Sequence, residues 1–303
     1  MSDNTEFRKE LEERTKQINE QIESYLPEEK GHQKTIFEAM NYSVKAGGKR
    51  LRPLFMQEIC RLFTGEVQPV VVPFMAAIEM IHTSSLVHDD LPCMDDDMMR
   101  RGQASTWAEY GEDMGVLAGD ALMIYAFEVA AKAFKEVSDA DDLKRVGRAI
   151  EILASKTGIY GMIGGQTVDV ELAGGPIPKN KLDFIYRLKT GALIEASMLI
   201  GAVLGGAAEE DCKIVESLAG KVGLAFQIQD DILDVTSTEE ELGKPIHSDE
   251  KNHKTTYVTL MGIEKASQQV KKLSDEAVTL FEGLNKKNEF LFTLVNELVG
   301  RRK

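Results

Sequence analysis

Apolar residues recur along this chain at intervals of three and four. Phe127, Ala130, Ala131 and Phe134 keep the i, i+3, i+4, i+7 spacing of one helical face, and Leu224, Ile228, Asp231 and Val235 continue at a similar interval. The N-terminal run SDNTEFRKELEERTKQINEQIESYL is a charged amphipathic helix that lacks the apolar stretch of a signal peptide. The most apolar long segment, GALIEASMLIGAVLGGAA at 191–208, carries Glu195 and many small residues. That composition marks a buried helix between close neighbours and not a membrane span. No stretch alternates apolar and polar residues between turn signals, so strands are not expected. Loops are expected at Gly47-Gly48, near Pro69 and Pro73, at Gly174-Gly175-Pro176 and around Gly243-Lys244-Pro245. No Ser/Gly-rich or Pro-rich linker interrupts the pattern. The reading is an all-α fold, one helical domain over residues 1–303.

One helix ends in an unexpected way. The apolar run Phe74 to Val87 leads into HDDLPCMDDD, with five aspartates (Asp89, Asp90, Asp95, Asp96, Asp97) within nine residues. Two carboxylates about 4 Å apart repel by roughly 1 kcal/mol in water and about 4 kcal/mol at a partly buried site. The run before them is too apolar to sit in solvent, so a cation is required, and hard divalent ions take carboxylate oxygens. Asp89 and Asp95 are six apart, a poor fit to one helical face. Pro92 lies between them, and a helix end there swings Asp95 back beside Asp89. His82 precedes Asp89 by two turns on the same face. The segment FQIQDDILD at 226–234 repeats the theme: Asp230 and Asp234 share a face with Gln227 one turn earlier. A single acidic cluster is ordinarily a solvated surface. Two of them, each closing an apolar helix, point to two halves of one site. The calcium-loop pattern of EF-hands is absent.

Charge and cysteine content narrow the partners. The net charge is −14 with a pI near 5.0, which argues against nucleic acid and against a basic membrane-docking face. Three widely spaced cysteines form no disulfide or zinc pattern, so a cytoplasmic location is expected. An anionic ligand would need a locally inverted field. The cations that could supply it are Lys49 and Arg52 in GGKRLRP, Arg100-Arg101, Lys189 before Thr190-Gly191, Lys244 after Gly243, and Lys254. Each alone is an ordinary surface charge. Set beside metal-binding carboxylates on helices that line an apolar interior, they specify a diphosphate head bound through Mg²⁺ and a greasy tail.

These segments resemble the motifs of the trans-isoprenyl diphosphate synthases. DDLPCMD at 89–95 with Arg100-Arg101-Gly102 and DDILD at 230–234 match the two aspartate-rich motifs. GGKRLRP, Gly164-Gly165-Gln166 with Asp169, Lys189-Thr190-Gly191, Phe226-Gln227 and Gly243-Lys244-Pro245 follow in the family's order, and the match runs from about residue 30 to 260. The four-residue spacer between Asp90 and Asp95 is similar to the bacterial and plant short-chain branch. The resemblance implies a helical bundle around a central cavity and a homodimer, for which the apolar faces around 115–136 are the candidate interface. It implies that isopentenyl diphosphate is condensed with allylic diphosphates to an all-trans C15–C20 product. By the same resemblance Asp89 and Asp95 hold two Mg²⁺ and Asp230 a third, Mn²⁺ being an acceptable substitute, with Asp231 and Asp234 in support through water. Lys49, Arg52, His82 and Arg101 would hold isopentenyl diphosphate, and Arg100, Lys189 and Lys244 the allylic diphosphate. Thr190 and Gln227 would face the reacting carbons.

In farnesyl synthases of that branch the fifth residue before the first aspartate is typically aromatic and blocks the tail. Here it is Ser84, beside Ser85, and the expectation is C20 over C15. Two other readings share parts of the pattern. A class I terpene cyclase leaves the second DD motif and GGKRLRP unexplained. An HD-type phosphohydrolase would use His88-Asp89 with His82, and leaves 230–234 unexplained.

Overall fold

The structure, a computed structural model, describes residues 2–236 and 255–300. Its helices are α1 (Ser2–Glu23), α2 (Lys34–Lys45), α3 (Leu51–Thr64), α4 (Val72–Asp89), α5 (Thr106–Tyr110), α6 (Glu112–Ala131), α7 (Ala140–Thr157), α8 (Met162–Glu171), α9 (Lys179–Ile185), α10 (Ala192–Leu204), α11 (Glu209–Thr236), α12 (Tyr257–Met261), α13 (Ile263–Gly283) and α14 (Glu289–Gly300). A π-helical turn, Tyr186–Gly191, joins α9 to α10. Among the described residues the only strands are the two-residue β1 (Met99–Arg100) and β2 (Gln103–Ala104), an antiparallel hairpin. The all-α expectation holds.

Packing follows the apolar pattern. α4 lies against α6, α10 against α3, α7 and α11, and α11 against α13. α10 is buried along its whole length, as its composition required. Gly201 admits it against α3, since a Cβ there would collide with the Met56 carbonyl. Its one charge is compensated: Glu195 accepts from Lys156 Nζ at 2.6 Å, and the same ammonium reaches Glu216 at 2.7 Å. The larger core spans α1 to α4, α6, α7, α10, α11 and the last two helices. A second cluster gathers Leu182, Ile185, Tyr186, Ile228, Ile232, Tyr257 and Val270. α11 joins them, its first half (Cys212 to Val222) in the larger core and its second half (Ala225 to Ile232) in the other.

The expected α6 face is corrected by the structure. Ala118, Leu122, Ala126, Val129 and Ala130 point inward, while Ala131 and Phe134 are exposed and the α-helix ends at Ala131. On α6 the outward side is marked by Asp113, Asp120 and Glu128, which share one face with Leu117 and Ile124, and not by the apolar spacing alone. The outward stripe carries Val116, Leu117 and Ile124, the last 72% exposed. Two segments, Pro69–Asp89 and Glu112–Lys135, have the length and hydropathy of a membrane span; the first is 78% buried and the second 39%.

Candidate active site

α4 stops at Asp89, three residues before Pro92, and the chain folds back on itself. The Asp95 N–H donates to the Asp89 carbonyl at 2.8 Å and the Asp97 N–H to that of Asp90 at 3.1 Å. Asp95 is thereby returned beside Asp89, as the proline predicts. The five aspartates then part ways. Asp90, 2% exposed, takes the Arg100 guanidinium on both oxygens, at 2.9 and 3.2 Å from Nε, and Asp97 accepts from the same guanidinium at 3.1 Å. Asp89 Oδ1 accepts from Gln166 Nε2 at 2.7 Å. Burial pushes the Asp89 carboxyl up to about 6; Asp95 and Asp169 add to the rise, and Lys189 and Arg100 oppose it without cancelling it. A cation seated against Asp89 would relieve the cost of burying its charge.

The second cluster is reached through the π turn. Lys189 Nζ donates to Asp169 Oδ2 at 2.6 Å, and Thr190 Oγ1 to Gln227 Oε1 at 3.0 Å, one turn from Asp230 on α11. Burial works against the Lys189 ammonium, but Asp89, Asp169 and Asp95 outweigh it and hold the group more strongly charged than an ordinary lysine. A single π turn, a feature frequent at functional sites, thus presents one side chain to each aspartate cluster. It lies so close to α8 that a Cβ on Gly165 would meet the Lys189 nitrogen and come within 2.8 Å of the Leu188 carbonyl carbon. Asp234 is buried beside the second cluster, whereas Asp231 accepts from the Tyr186 hydroxyl at 2.8 Å and the Tyr257 N–H at 2.9 Å.

The cations converge on His82. The His82 imidazole is held well below its ordinary pKa, first by burial and then by Arg52, Arg101, Arg50 and Arg100, so it is neutral in this company. Arg52 is also depressed by burial, and its Nε is a buried donor with no hydrogen-bond partner. Arg101 lies against Gly48, where a Cβ would stand 2.9 Å from the guanidinium carbon, and donates to the Gly47 carbonyl. Lys49 is exposed at the rim. Among the described residues four non-glycines adopt left-handed backbone, and three of them, Arg50, Asp96 and Arg101, are here.

Arg50 escapes motif reading. It is 3% exposed and donates to Glu79 at 2.6 Å, Asn19 at 2.7 Å and the Val44 carbonyl at 2.6 Å, fixing the start of α3 beneath the arginine cluster. The available signal was Glu79, a lone carboxylate inside the apolar α4 run, which demands a buried cation.

Ser84, fully buried, donates to the Gly119 carbonyl at 2.8 Å, and Ser85 to the His82 carbonyl at 2.8 Å. His88 faces α6, with Nε2 3.1 Å from the Val116 carbonyl and 3.6 Å from Asp120. It therefore does not join Asp89 in an HD-type metal site. Lys244, with Gly243, Pro245 and Lys254, lies outside the described residues.

Carboxylate oxygens on a half-buried Asp89 with Asp95 folded back beside it suit a hard cation such as Mg²⁺. Among the described residues no three Asp, Glu, His or Cys side chains form a closed cage. The unpartnered Arg52 donor suits an anion in the same way.

Comparison with known proteins agrees with this chemistry. Residues 33–291 match the polyprenyl synthetase family. The chloroplastic geranylgeranyl pyrophosphate synthase of Catharanthus roseus is 46% identical over 80% of this chain and 67% of its own length. The farnesyl diphosphate synthase of Bacillus subtilis is 37% identical over 96% of this chain and 97% of its own. The crystal structure of a Helicobacter pylori geranyltransferase, complexed with magnesium and isoprenyl diphosphate, superposes with a TM-score of 0.79 at 32% identity, covering 94% of this chain and 95% of that one. With two aspartate clusters flanking one lysine-threonine turn and an arginine-histidine pocket beside them, the chain belongs to the polyprenyl synthetase family, as a short-chain trans-prenyltransferase.

Proposed function

We propose that this chain condenses isopentenyl diphosphate with dimethylallyl, geranyl and farnesyl diphosphates to an all-trans C20 prenyl diphosphate. The observation that supports the reading is that cations gather at two places around the aspartates. Arg52, His82 and Arg101, with Lys49 proposed to join them, gather at one, and Lys189 stands at the other among Asp89, Asp95 and Asp169. Arg100, proposed for the allylic set, lies in the field of both His82 and Asp89. A single diphosphate needs one such place, whereas a condensation of two diphosphates needs both. Lys244 would complete the allylic set.

Asp89 and Asp95 would hold two Mg²⁺ and Asp230 a third, supported by Asp234, with Mn²⁺ as an acceptable substitute. Mg²⁺ supplies charge neutralisation for the departing diphosphate. Lys189, kept charged by its carboxylate neighbours, binds allylic diphosphate oxygens. Thr190 and Gln227, already hydrogen-bonded to each other, turn oxygen dipoles toward the carbons where positive charge develops. His82 binds isopentenyl diphosphate through a neutral ring and adds no charge to the arginines. The apolar helices exclude water until the isopentenyl double bond attacks. The departing diphosphate takes the final proton, so no protein nucleophile is needed.

The C20 product rests on Ser84 and Ser85, small residues where a bulkier one would limit a tail growing back along α4 from Asp89. The molecule acts as one domain, because α11 belongs to both cores. It works as a cytoplasmic homodimer joined through the exposed stripe of α6. The test is product analysis with isopentenyl and dimethylallyl diphosphates and Mg²⁺. A C20 product is expected, none with EDTA, and a shift toward C15 in Ser84→Tyr. Diphosphate release without carbon–carbon bond formation would overturn the reading.

A further inference from the structure

Neighbouring aspartates in DDILD do not share a direction, because successive side chains on a helix diverge by about 100°. Gln227, Asp230 and Asp234 lie on one face of α11. Asp231 lies on the face that enters the second apolar cluster, between Tyr186 and Tyr257, and is 4% exposed. One of its oxygens, Oδ2, accepts both the Tyr186 hydroxyl at 2.8 Å and the Tyr257 N–H at 2.9 Å. The two tyrosine rings pack with centroids 5.5 Å apart. The Tyr257 hydroxyl donates to Asp183 on α9, and Lys179 ties to the same carboxylate at 2.7 Å. Thr256 caps α12 through a reciprocal pair of bonds with Thr259.

Three elements therefore meet at one carboxylate oxygen: α11, the π turn and the first residue of α12. Tyr186 opens the π turn, three residues before Lys189 and four before Thr190. Asp231 adjoins Asp230. On the other side of the same joint, Thr190 is bonded to Gln227 at 3.0 Å. We infer that Asp231 is a positioning residue and not a holder of metal: with Tyr186 it forms a clamp that sets Lys189 and Thr190 in register with Gln227 and Asp230. This rests on the prenyltransferase reading of those four residues and assigns Asp231, Tyr186 and Tyr257 a part in it that their motif position does not suggest.

The test compares charge removal with acceptor removal. Asp231→Asn loses the charge but keeps an oxygen that can accept both hydrogen bonds. It should lower kcat by no more than about threefold and leave the Mg²⁺ concentration for half-activation unchanged. Tyr186→Phe and Asp231→Ala should each lower kcat by about tenfold or more, with KM for isopentenyl diphosphate unchanged, because that substrate's pocket lies elsewhere. The double variant should be no worse than Asp231→Ala, since both changes open one joint. Asp230→Asn should instead lose several orders of magnitude and require more Mg²⁺. A second readout needs no turnover: the rise in melting temperature produced by Mg²⁺ with inorganic pyrophosphate. That rise should persist in Asp231→Asn and Tyr186→Phe, both near-isosteric, and vanish in Asp230→Asn. If Asp231→Asn matches Asp230→Asn in either readout, Asp231 acts through its charge at the metal and the clamp is overturned. Additive losses in the double variant overturn it as well. Failure of the wild-type protein to condense its substrates would overturn the proposed function instead, while the melting-temperature readout still judges the clamp.

Discussion

Arg50 and Arg52 stand two positions apart in GGKRLRP and answer to different physics. Arg50 is locked to Glu79 in the interior, and removing one partner of such a pair strands a buried charge. Arg50→Met is expected to cost about 3–5 kcal/mol of stability in denaturant titration. Lys49→Ala, at the exposed rim, should leave stability alone and act through KM for isopentenyl diphosphate. His82 adds a pH dependence whose sign is fixed. Its folded-state pKa lies well below the ordinary 6.5, so below pH 6.5 the unfolded chain binds a proton that the folded one refuses. Stability should then fall by about 1.4 kcal/mol per pH unit below 6.5, down to the folded-state pKa. Denaturation at pH 7.5 and 5.5 should show this slope reduced in His82→Gln relative to wild type. Motif spacing singled out Lys49, Arg52 and His82, the residues proposed to hold isopentenyl diphosphate. It passed over Arg50, whose partner sits 29 residues away in another helix.

At the scale of the element, the π turn is what the chain pattern conceals. A shift of one residue in the backbone hydrogen-bond ladder leaves no mark in apolar spacing, yet it lets Lys189 and Thr190 address different aspartate clusters. Pro92, by contrast, announced the break after Asp89, and the fold-back of Asp95 follows from it. The turn's tolerance is small because Gly165 touches its backbone. Gly165→Ala should displace Lys189 and lower kcat by about a hundredfold, the usual cost of an ångström-scale misplacement. Retained helical circular dichroism would separate that loss from unfolding; turnover near wild type would show that the turn yields. The face of α6 is misread when apolar spacing is followed alone, since Asp113, Asp120 and Glu128 line its exposed side.

At the scale of the whole molecule, fold class was legible because helical spacing, absent strand signals and buried small residues all agreed. The homodimer is implied by resemblance alone, and the exposed Val116, Leu117 and Ile124 are the surface proposed for it. Sedimentation should show a dimer at micromolar concentration and a monomer for Ile124→Glu, as a charge does not enter an apolar interface without loss. The inner side of the same helix is equally committed. A Cβ at Gly115 would stand 2.9 Å from Trp107 Cβ, one at Gly119 would strike the His88 ring, and the Gly119 carbonyl receives Ser84. α6 therefore has almost no neutral positions. Under random mutation it should be among the least forgiving segments of the chain, and a larger residue at Ser84, which packs against it, should shift α6 as well as product length.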